Sequence, residues 1–277
     1  MIARNTLTQT AIVLGISAGA LAQTRPADKS QYNLFNPTPP GLMREMTTDR
    51  PDVTESPYTI DAGHLQIELS LIEYTRDDET VASDSYSILP TNFRVGITNN
   101  MEVAVNVQPY NLVQAGHDST AGMGSTDLWL KANFWGNDGD SKTAAGIMSI
   151  VRLPTGPDAI GTDEVEPGIA GMFTVKLTEK VEVGLMGEVD FVRGTDDPSY
   201  ETDFLLTATI SFPIVGELNG YVEYAGIAST GATYQAFADV GLTYQVNDNM
   251  QLDGGVNIGL SESAEDFTVF TGVSVRL

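Results

Sequence analysis

The sequence predicts an all-β chain, an antiparallel transmembrane β-barrel of about twelve strands. Three observations carry that prediction. Apolar and polar residues alternate with period two in segment after segment from His64 onward. The connections between these segments alternate between tight and long. Beyond the amino terminus, no apolar run approaches the roughly 20 residues that a membrane helix needs, so any later crossing must be made by strands.

The segments, in order, span 64–75, 85–97, 101–113, 124–135, 143–153, 165–177, 181–193, 202–213, 217–228, 233–245, 250–260 and 266–277. Each is close to the ~9–11 residues with which a tilted strand crosses a bilayer. In 202–213, Phe204, Leu206, Ala208, Ile210 and Phe212 form the lipid face, against Asp203, Leu205, Thr207, Thr209 and Ser211. In 250–260, Leu252, Gly254, Val256, Ile258 and Leu260 oppose Gln251, Asp253, Gly255, Asn257 and Gly259. Pro90 is a misfit inside the second segment, to be met by a bulge or by a strand that starts later. Internal glycines such as Gly96 and Gly255 suit bends and close packing, and individually say little.

Connections 98–100, 178–180, 214–216 and 246–249 are tight, whereas 76–84, 114–123, 154–164, 194–201 and 261–265 are longer and polar. Two departures are the short 229–232 and the long 136–142. Short turns on one side and long loops on the other is the asymmetry of outer-membrane barrels. Phe191, Phe204, Tyr234 and Phe267 fall near the long-loop ends, and Phe93, Phe134, Phe212 and Tyr244 near the short-turn ends, as two interfacial girdles. A secreted β-sandwich would also alternate, but with shorter strands and a solvated polar exterior.

Residues 1–22 read as a cleaved secretory signal, with Arg4, an apolar stretch from Ala11 to Leu21 and the small-x-small site Ala20-Leu21-Ala22. That stretch is too short for a membrane anchor. Residues 23–48 form a proline-rich lead on the periplasmic side, with Pro26, Pro37, Pro39 and Pro40. The lead is extended or disordered, or alternatively a plug reaching into the barrel. Residues 49–277 are the barrel with its amino-terminal box. The expected location is the bacterial outer membrane, with membrane lipid and the barrel-insertion machinery as partners. Leu277 departs from the aromatic last residue that this machinery usually reads.

Mean hydropathy is −0.06, as befits a barrel whose inner half is polar. With no cysteine, an exported chain relies on hydrogen-bonded closure and packing, and thiol chemistry is excluded. A formal charge of −23 argues against nucleic acid as a partner.

The stretch 49–68, DRPDVTESPYTIDAGHLQIE, is where the chain changes character. Pro51 and Pro57 cannot donate to a ladder, Asp61-Ala62-Gly63 reads as a turn, and the first strand follows with Leu65, Ile67, Leu69 and Leu71 on its oily face. The longer run 36–68, NPTPPGLMREMTTDRPDVTESPYTIDAGHLQIE, resembles the bacterial family named for a MetA pathway of phenol degradation. Looser likeness extends to 124–136, 151–156 and 220–224. The resemblance implies an outer-membrane, transporter-like barrel, and the family's name suggests uptake of aromatic compounds. The residues matching its box are Asp49, Arg50, Pro51, Asp52, Thr54, Glu55, Ser56, Pro57, Gly63, His64, Gln66 and Glu68. Two readings of the box stand. It folds against the periplasmic mouth with Arg50 pairing an acid of the box or of the lumen wall, or it is an ordered turn that sets the first strand's register.

Parity directs Glu68, Arg94, Glu102, Lys131, Arg152, Lys176, Glu182, Glu188, Asp190, Glu223, Asp239, Asp253 and Arg276 into the lumen. They serve either as a bracing network or as the lining of a path that favours cations or neutral polar solutes. Twelve strands leave little lumen, so a wide pore is not expected. Catalysis is not expected either: His64 and His117 are the only imidazoles, and Ser119 beside His117 lacks an orienting acid or amide. Acid clusters at Asp138-Gly139-Asp140, Asp163-Glu164 with Glu166, and Asp196-Asp197 with Glu201 lack calcium-loop spacing, and no cofactor or metal is expected. The remaining function is a narrow conduit for a small, hydrophobic or aromatic compound, against a closed barrel with a structural or surface-interaction role.

Overall fold

The computed structural model describes residues 28–78, 82–139, 141–157, 160–194 and 199–277. The signal-peptide reading of 1–22, the start of the lead, Asp140, Asp196 and Asp197 lie outside them.

Because strand side chains point alternately to two faces, a chain with one apolar and one polar set per strand can close into a cylinder that is greasy outside and polar within. The strands are β1 (Leu65–Asp77), β2 (Ser83–Ile88), β3 (Thr91–Thr98), β4 (Met101–Val107), β5 (Tyr110–Ala115), β6 (Asp118–Gly122), β7 (Thr126–Trp135) and β8 (Thr143–Leu153). After these come β9 (Glu166–Lys176), β10 (Glu182–Arg193), β11 (Tyr200–Val215), β12 (Leu218–Ser229), β13 (Gln235–Asn247), β14 (Met250–Gly259) and β15 (Phe267–Arg276). All pairings are antiparallel, and β15 returns to pair with β1 from Gln66↔Arg276 to Arg76↔Phe267. One closed sheet, without the two faces of a sandwich, is the result. Among the described residues, no helix is long and apolar enough to cross a membrane.

The fifteen segments make twelve spans, because three spans are interrupted midway. The lower part of β1 pairs with β3 and its upper part with β2, so β2 and β3 are one stave broken at Leu89-Pro90. Leu89 there has a φ of 56°, and Pro90, with no N–H to give, still accepts a bond from the Ser70 amide at 3.0 Å. The second break, at Gln108-Pro109 between β4 and β5, has the same cause, although Pro109 gave no warning in the alternation pattern. The expected long loop at 114–123 is largely strand: β5 and β6 form a hairpin, turning at Gly116 and His117, that lifts the wall at that edge.

A bulge in β1 changes phase. The register against β15 slips between Ser70 and Ile72, leaving Leu71 and Ile72 both exposed outward. Gln66, Glu68 and Ser70 therefore face inward below the bulge, and Glu73 and Thr75 above it.

The outer face carries Phe204, Leu206 and Ile210 of β11, Val222 and Tyr224 of β12, and Val240, Leu242 and Tyr244 of β13, all exposed. Phe191 and Tyr234 are exposed at the long-loop end, as are Phe93, Phe134 and Trp135 at the other, while Phe267 and Phe212 are partly covered. A continuous apolar exterior of this extent has no soluble counterpart, and lateral pairing leaves few backbone amides to be stranded in hydrocarbon. Inside, Met148, Ile150, Ala170, Met172 and Met186 form a buried cluster with Trp129 and Leu205 against it, an apolar patch on an inner wall that is otherwise polar.

Leu206, 65% exposed on the lipid face, tests this assignment. Leu206→Arg is expected to destabilise the barrel by about 2–4 kcal/mol if it lies near the bilayer midplane. Urea titration of the heat-modifiable gel band in liposomes reads that loss, and an unchanged midpoint would place Leu206 away from lipid.

Candidate functional site

The inside of a twelve-strand ring is wider than side chains alone can fill, and here the chain's own amino-terminal segment fills it. Residues 48–61 form a loop that enters the lumen at the short-turn end, rises to a tip at Val53 and Thr54, and returns to β1. One of the two readings of the box puts it against the mouth; it lies deeper, inside the lumen, and that position has a physical cause. It has no regular secondary structure, so its amide groups need acceptors, and inward carboxylates of the wall supply them. Glu68 Oε2 accepts from the amides of Asp49 and Arg50 at 3.0 and 3.2 Å. Glu223 accepts from the amides of Val53 and Thr54, both at 2.7 Å, and from the Thr54 hydroxyl. Glu102 accepts from the Ile60 amide at 2.7 Å.

Two ion clusters fix the rising limb. Arg50 donates through Nη2 and Nε to the two oxygens of Asp253, at 2.7 and 3.3 Å, and through Nη1 to Ser70 Oγ at 2.5 Å. Its guanidinium also stacks 5.8 Å from the centre of the Phe270 ring. Asp49 lies between Lys131 Nζ at 2.5 Å and Arg94 Nη1 at 3.0 Å. Arg94, fully buried, also reaches Glu68 at 2.6 Å and Glu102 at 2.8 Å, and Lys131 lies 3.5 Å from Glu55. Asp49 further accepts from the Ser56 hydroxyl at 2.9 Å, drawing the two limbs together.

On the returning limb, Asn133 Nδ2 donates to the Pro57 carbonyl at 2.8 Å, and Tyr58 donates its hydroxyl to Glu182 at 2.9 Å. Thr54 Oγ1 is 2.6 Å from Thr207 Oγ1 at the tip. Gly63, with φ +78°, turns the chain into β1. The wall makes room by losing side chains: a Cβ on Gly96 would collide with the Ile60 and Asp61 carbonyls, and one on Gly272 with the Arg50 guanidinium.

A strap from the lead closes the short-turn end. Lys29 and Arg44 bridge Asp61 to Asp138, with Lys29 Nζ 2.9 Å from Asp138. Arg276 donates to the Arg44 carbonyl at 2.8 Å, His64 lies 2.7 Å from the Thr38 carbonyl and 3.2 Å from that of Leu277, and Gln66 donates to Thr47 at 2.8 Å. Burial alone would raise the Asp138 carboxyl, but the Lys29 ammonium, the Asn99 amide and the Arg44 guanidinium hold it below its ordinary value.

The remaining inward charges stand apart from the loop. Arg152 pairs with Asp127 at 3.1 Å and Glu166 at 3.5 Å near the long-loop end. Glu188 and Asp190 lie on the upper half of β10, and Lys176 lines a rim cavity with Arg44 and Asp138. Asp239 is buried opposite Glu223, and the two carboxyl groups are hydrogen-bonded to each other. No group of three or more metal-ligating side chains occurs among the described residues.

The loop separates two cavities. One, of about 250 Å³ on the short-turn side, is lined by Pro51, Asp52, Glu55, Tyr58, Thr209 and Tyr221 among others. The other, of about 180 Å³ beyond the tip, is lined by Val53, Leu205, Ala225, Ile227, Phe237, Asp239, Asn257, Glu265 and Thr268. Sequence reading missed Asn133, Thr207, Lys29, Arg44 and the inward methionines as contacts of interest. Parity alone marks the strand residues among them as inward, but nothing in the alternation shows that a loop meets them.

The family model described as "Putative MetA-pathway of phenol degradation" matches residues 48–277, the loop and barrel together. The chain belongs to this family. None of the curated proteins matches it. Among solved structures, it is similar to the KdgM porin, at 13% identity and TM-score 0.45, covering 74% of this chain and 97% of that one. It is also similar to the translocator domain of the autotransporter NalP from Neisseria meningitidis, at 11% identity and TM-score 0.45, covering 77% and 88%. The outer-membrane protein OmpT of Vibrio cholerae is another, at 8% identity and TM-score 0.37, covering 77% and 97%.

Two outcomes follow from the loop's attachment. Arg94→Met removes the cation shared by three buried carboxylates and is expected to cost about 3–5 kcal/mol, read as a lower urea midpoint of the heat-modifiable band. Wild-type stability in that variant would deny the cluster its role. The strap should loosen in acid, because a carboxyl held low contributes stability above its ordinary value of about 4 and loses it as pH falls through the lowered value. Faster proteolysis or hydrogen exchange of residues 29–44 at pH 3 than at pH 7 reports this, with Asp138→Asn giving the loosened pattern at both.

Proposed function

We propose that this protein is an outer-membrane conduit for a small, hydrophobic or aromatic compound, and that residues 48–61 are its plug. The short-turn end faces the periplasm in this reading, and the long loops face outward. One observation carries the proposal: the loop stands between the two cavities, and the inner wall near it carries an apolar patch of Met148, Ile150, Ala170, Met172 and Met186 on β8 to β10. A barrel needed only as a closed cylinder has no use for an apolar inner strip against a polar plug. The family's description, which names phenol degradation, points to the same class of solute.

A second reading keeps the loop permanently in place and gives the barrel a structural or surface role. The number of charge-assisted bonds on the rising limb favours it, since each is stronger than a neutral pair.

The two readings separate on whether the plug must move. The chain has no cysteine, so Thr54→Cys with Thr207→Cys introduces a single pair where the native hydroxyls are 2.6 Å apart. For a mobile plug, planar-bilayer conductance of the double variant is abolished by oxidation and restored by reductant. Deletion of the gene should in turn impair growth on aromatic carbon sources. Conductance indifferent to oxidation, in a pair shown to be cross-linked, means that the loop does not gate.

A further inference from the structure

The cavity beyond the plug tip is apolar on most of its sides and open to hydrogen bonding at one point. Val53, Leu205, Ala225, Ile227 and Phe237 make the apolar sides, and its volume is about 180 Å³. An apolar cavity of ~150 Å³ in an engineered core accepts a benzene ring, so a single ring with a small substituent fits here.

Four polar side chains share the lining: Asp239, Asn257, Glu265 and Thr268. Three of them are committed. The Asp239 carboxyl is paired with that of Glu223, and its oxygens are sealed from the cavity. Thr268 Oγ1 lies 2.8 Å from the Thr75 hydroxyl, and Glu265 is hydrogen-bonded to Thr268. Asn257 differs. It stands between Asp239 and Thr268 in the register, on the inward face of β14, and is only half-buried. Its carboxamide has no hydrogen-bond partner among the described residues, and neither its nitrogen nor its oxygen is sealed off. An apolar pocket with one such polar group fixes the orientation of what it binds.

We propose that this cavity is a binding subsite for a neutral single-ring compound with one hydroxyl, its ring against Phe237, Ile227 and Leu205 and its hydroxyl on the Asn257 amide. A hydroxyl donates to Oδ1 or accepts from Nδ2, so it finds a partner whichever way the amide is turned. A bare ring displaces water from that amide and returns nothing to it. A carboxylate brings its charge beside Glu265 and the Glu223–Asp239 pair, with no lysine or arginine on the lining to receive it. This subsite deepens the conduit reading by naming the solute's head, and it rests on that reading only for the solute's route in, since binding at equilibrium needs no passage past the plug.

Calorimetric titration of the full detergent-solubilised protein with toluene, benzyl alcohol and benzoate, each against matched blank micelles, tests it. Benzyl alcohol should bind saturably at one site, and benzoate should not bind. Asn257→Leu keeps the side chain's bulk without its amide. It should lower the ratio of benzyl alcohol to toluene affinity roughly threefold to tenfold, the worth of one net hydrogen bond. Heat-modifiable gel mobility confirms that the variant is folded, and Asn257→Ala reads the same ratio if Asn257→Leu is not. Uptake of benzyl alcohol no greater than by blank micelles, an affinity ratio unchanged by loss of the amide, or benzoate bound as tightly as the alcohol overturns the proposal. Failed alcohol binding alongside redox-controlled conductance removes the subsite alone, whereas conductance insensitive to the cross-link, with the alcohol still bound, removes the mobile plug alone.

Discussion

Carboxylates that accept from main-chain amides are the contacts on which the interior of this barrel depends. An irregular loop inside a membrane-spanning cylinder has donors with neither a ladder nor bulk water to receive them, and each buried unpaired amide costs about 1–3 kcal/mol. Glu68, Glu102 and Glu223 between them take five amides of residues 49–60. The charge of Glu68 and Glu102 is then offset by Arg94, with Lys131 3.8 Å from Glu102, while Arg50 of the loop itself pairs with Asp253. Removing the acids would strand the loop's amides, and removing the loop would leave the acids crowded around two cations.

This arrangement changes what the acidic lumen means. Acids that project inward from strands resemble the lining of a cation-selective path when only parity is known. In the folded chain, several of them are receptors for a polypeptide segment, the loop 48–61. Asp239 differs from these: it is buried alike, but its carboxyl is paired with that of Glu223 and not with the loop.

The barrel was legible because its signal is local and repeated. Alternation in residues 202–213 or 250–260 assigns the face of each side chain without knowledge of its neighbours, and Leu206, Leu252 and Asp253 lie where period two puts them. The broken staves were less legible, because Pro109 disrupts a ladder only if its amide position was due to pair, which the one-dimensional pattern does not specify. The interior was least legible. Gly96 and Gly272 are ordinary strand glycines in sequence, and their purpose exists only once Ile60 and Arg50 occupy the space a Cβ would take. The inward methionines Met148, Met172 and Met186 could equally have been lipid-facing by composition, and only strand phase places them inside.

The two limbs of the loop also differ in what holds them. The rising limb is tied to β1, β3, β7 and β14 by charge-assisted bonds, whereas β7 to β11 carry the apolar cluster on their upper inner face. Carboxylates and guanidinium groups released from the loop can be hydrated, so the energy of separating them is partly returned by water entering with the displacement. An apolar plug would have no such compensation. A polar segment beside an apolar patch is thus held by contacts that water can replace, while the packing of the patch itself is independent of the segment.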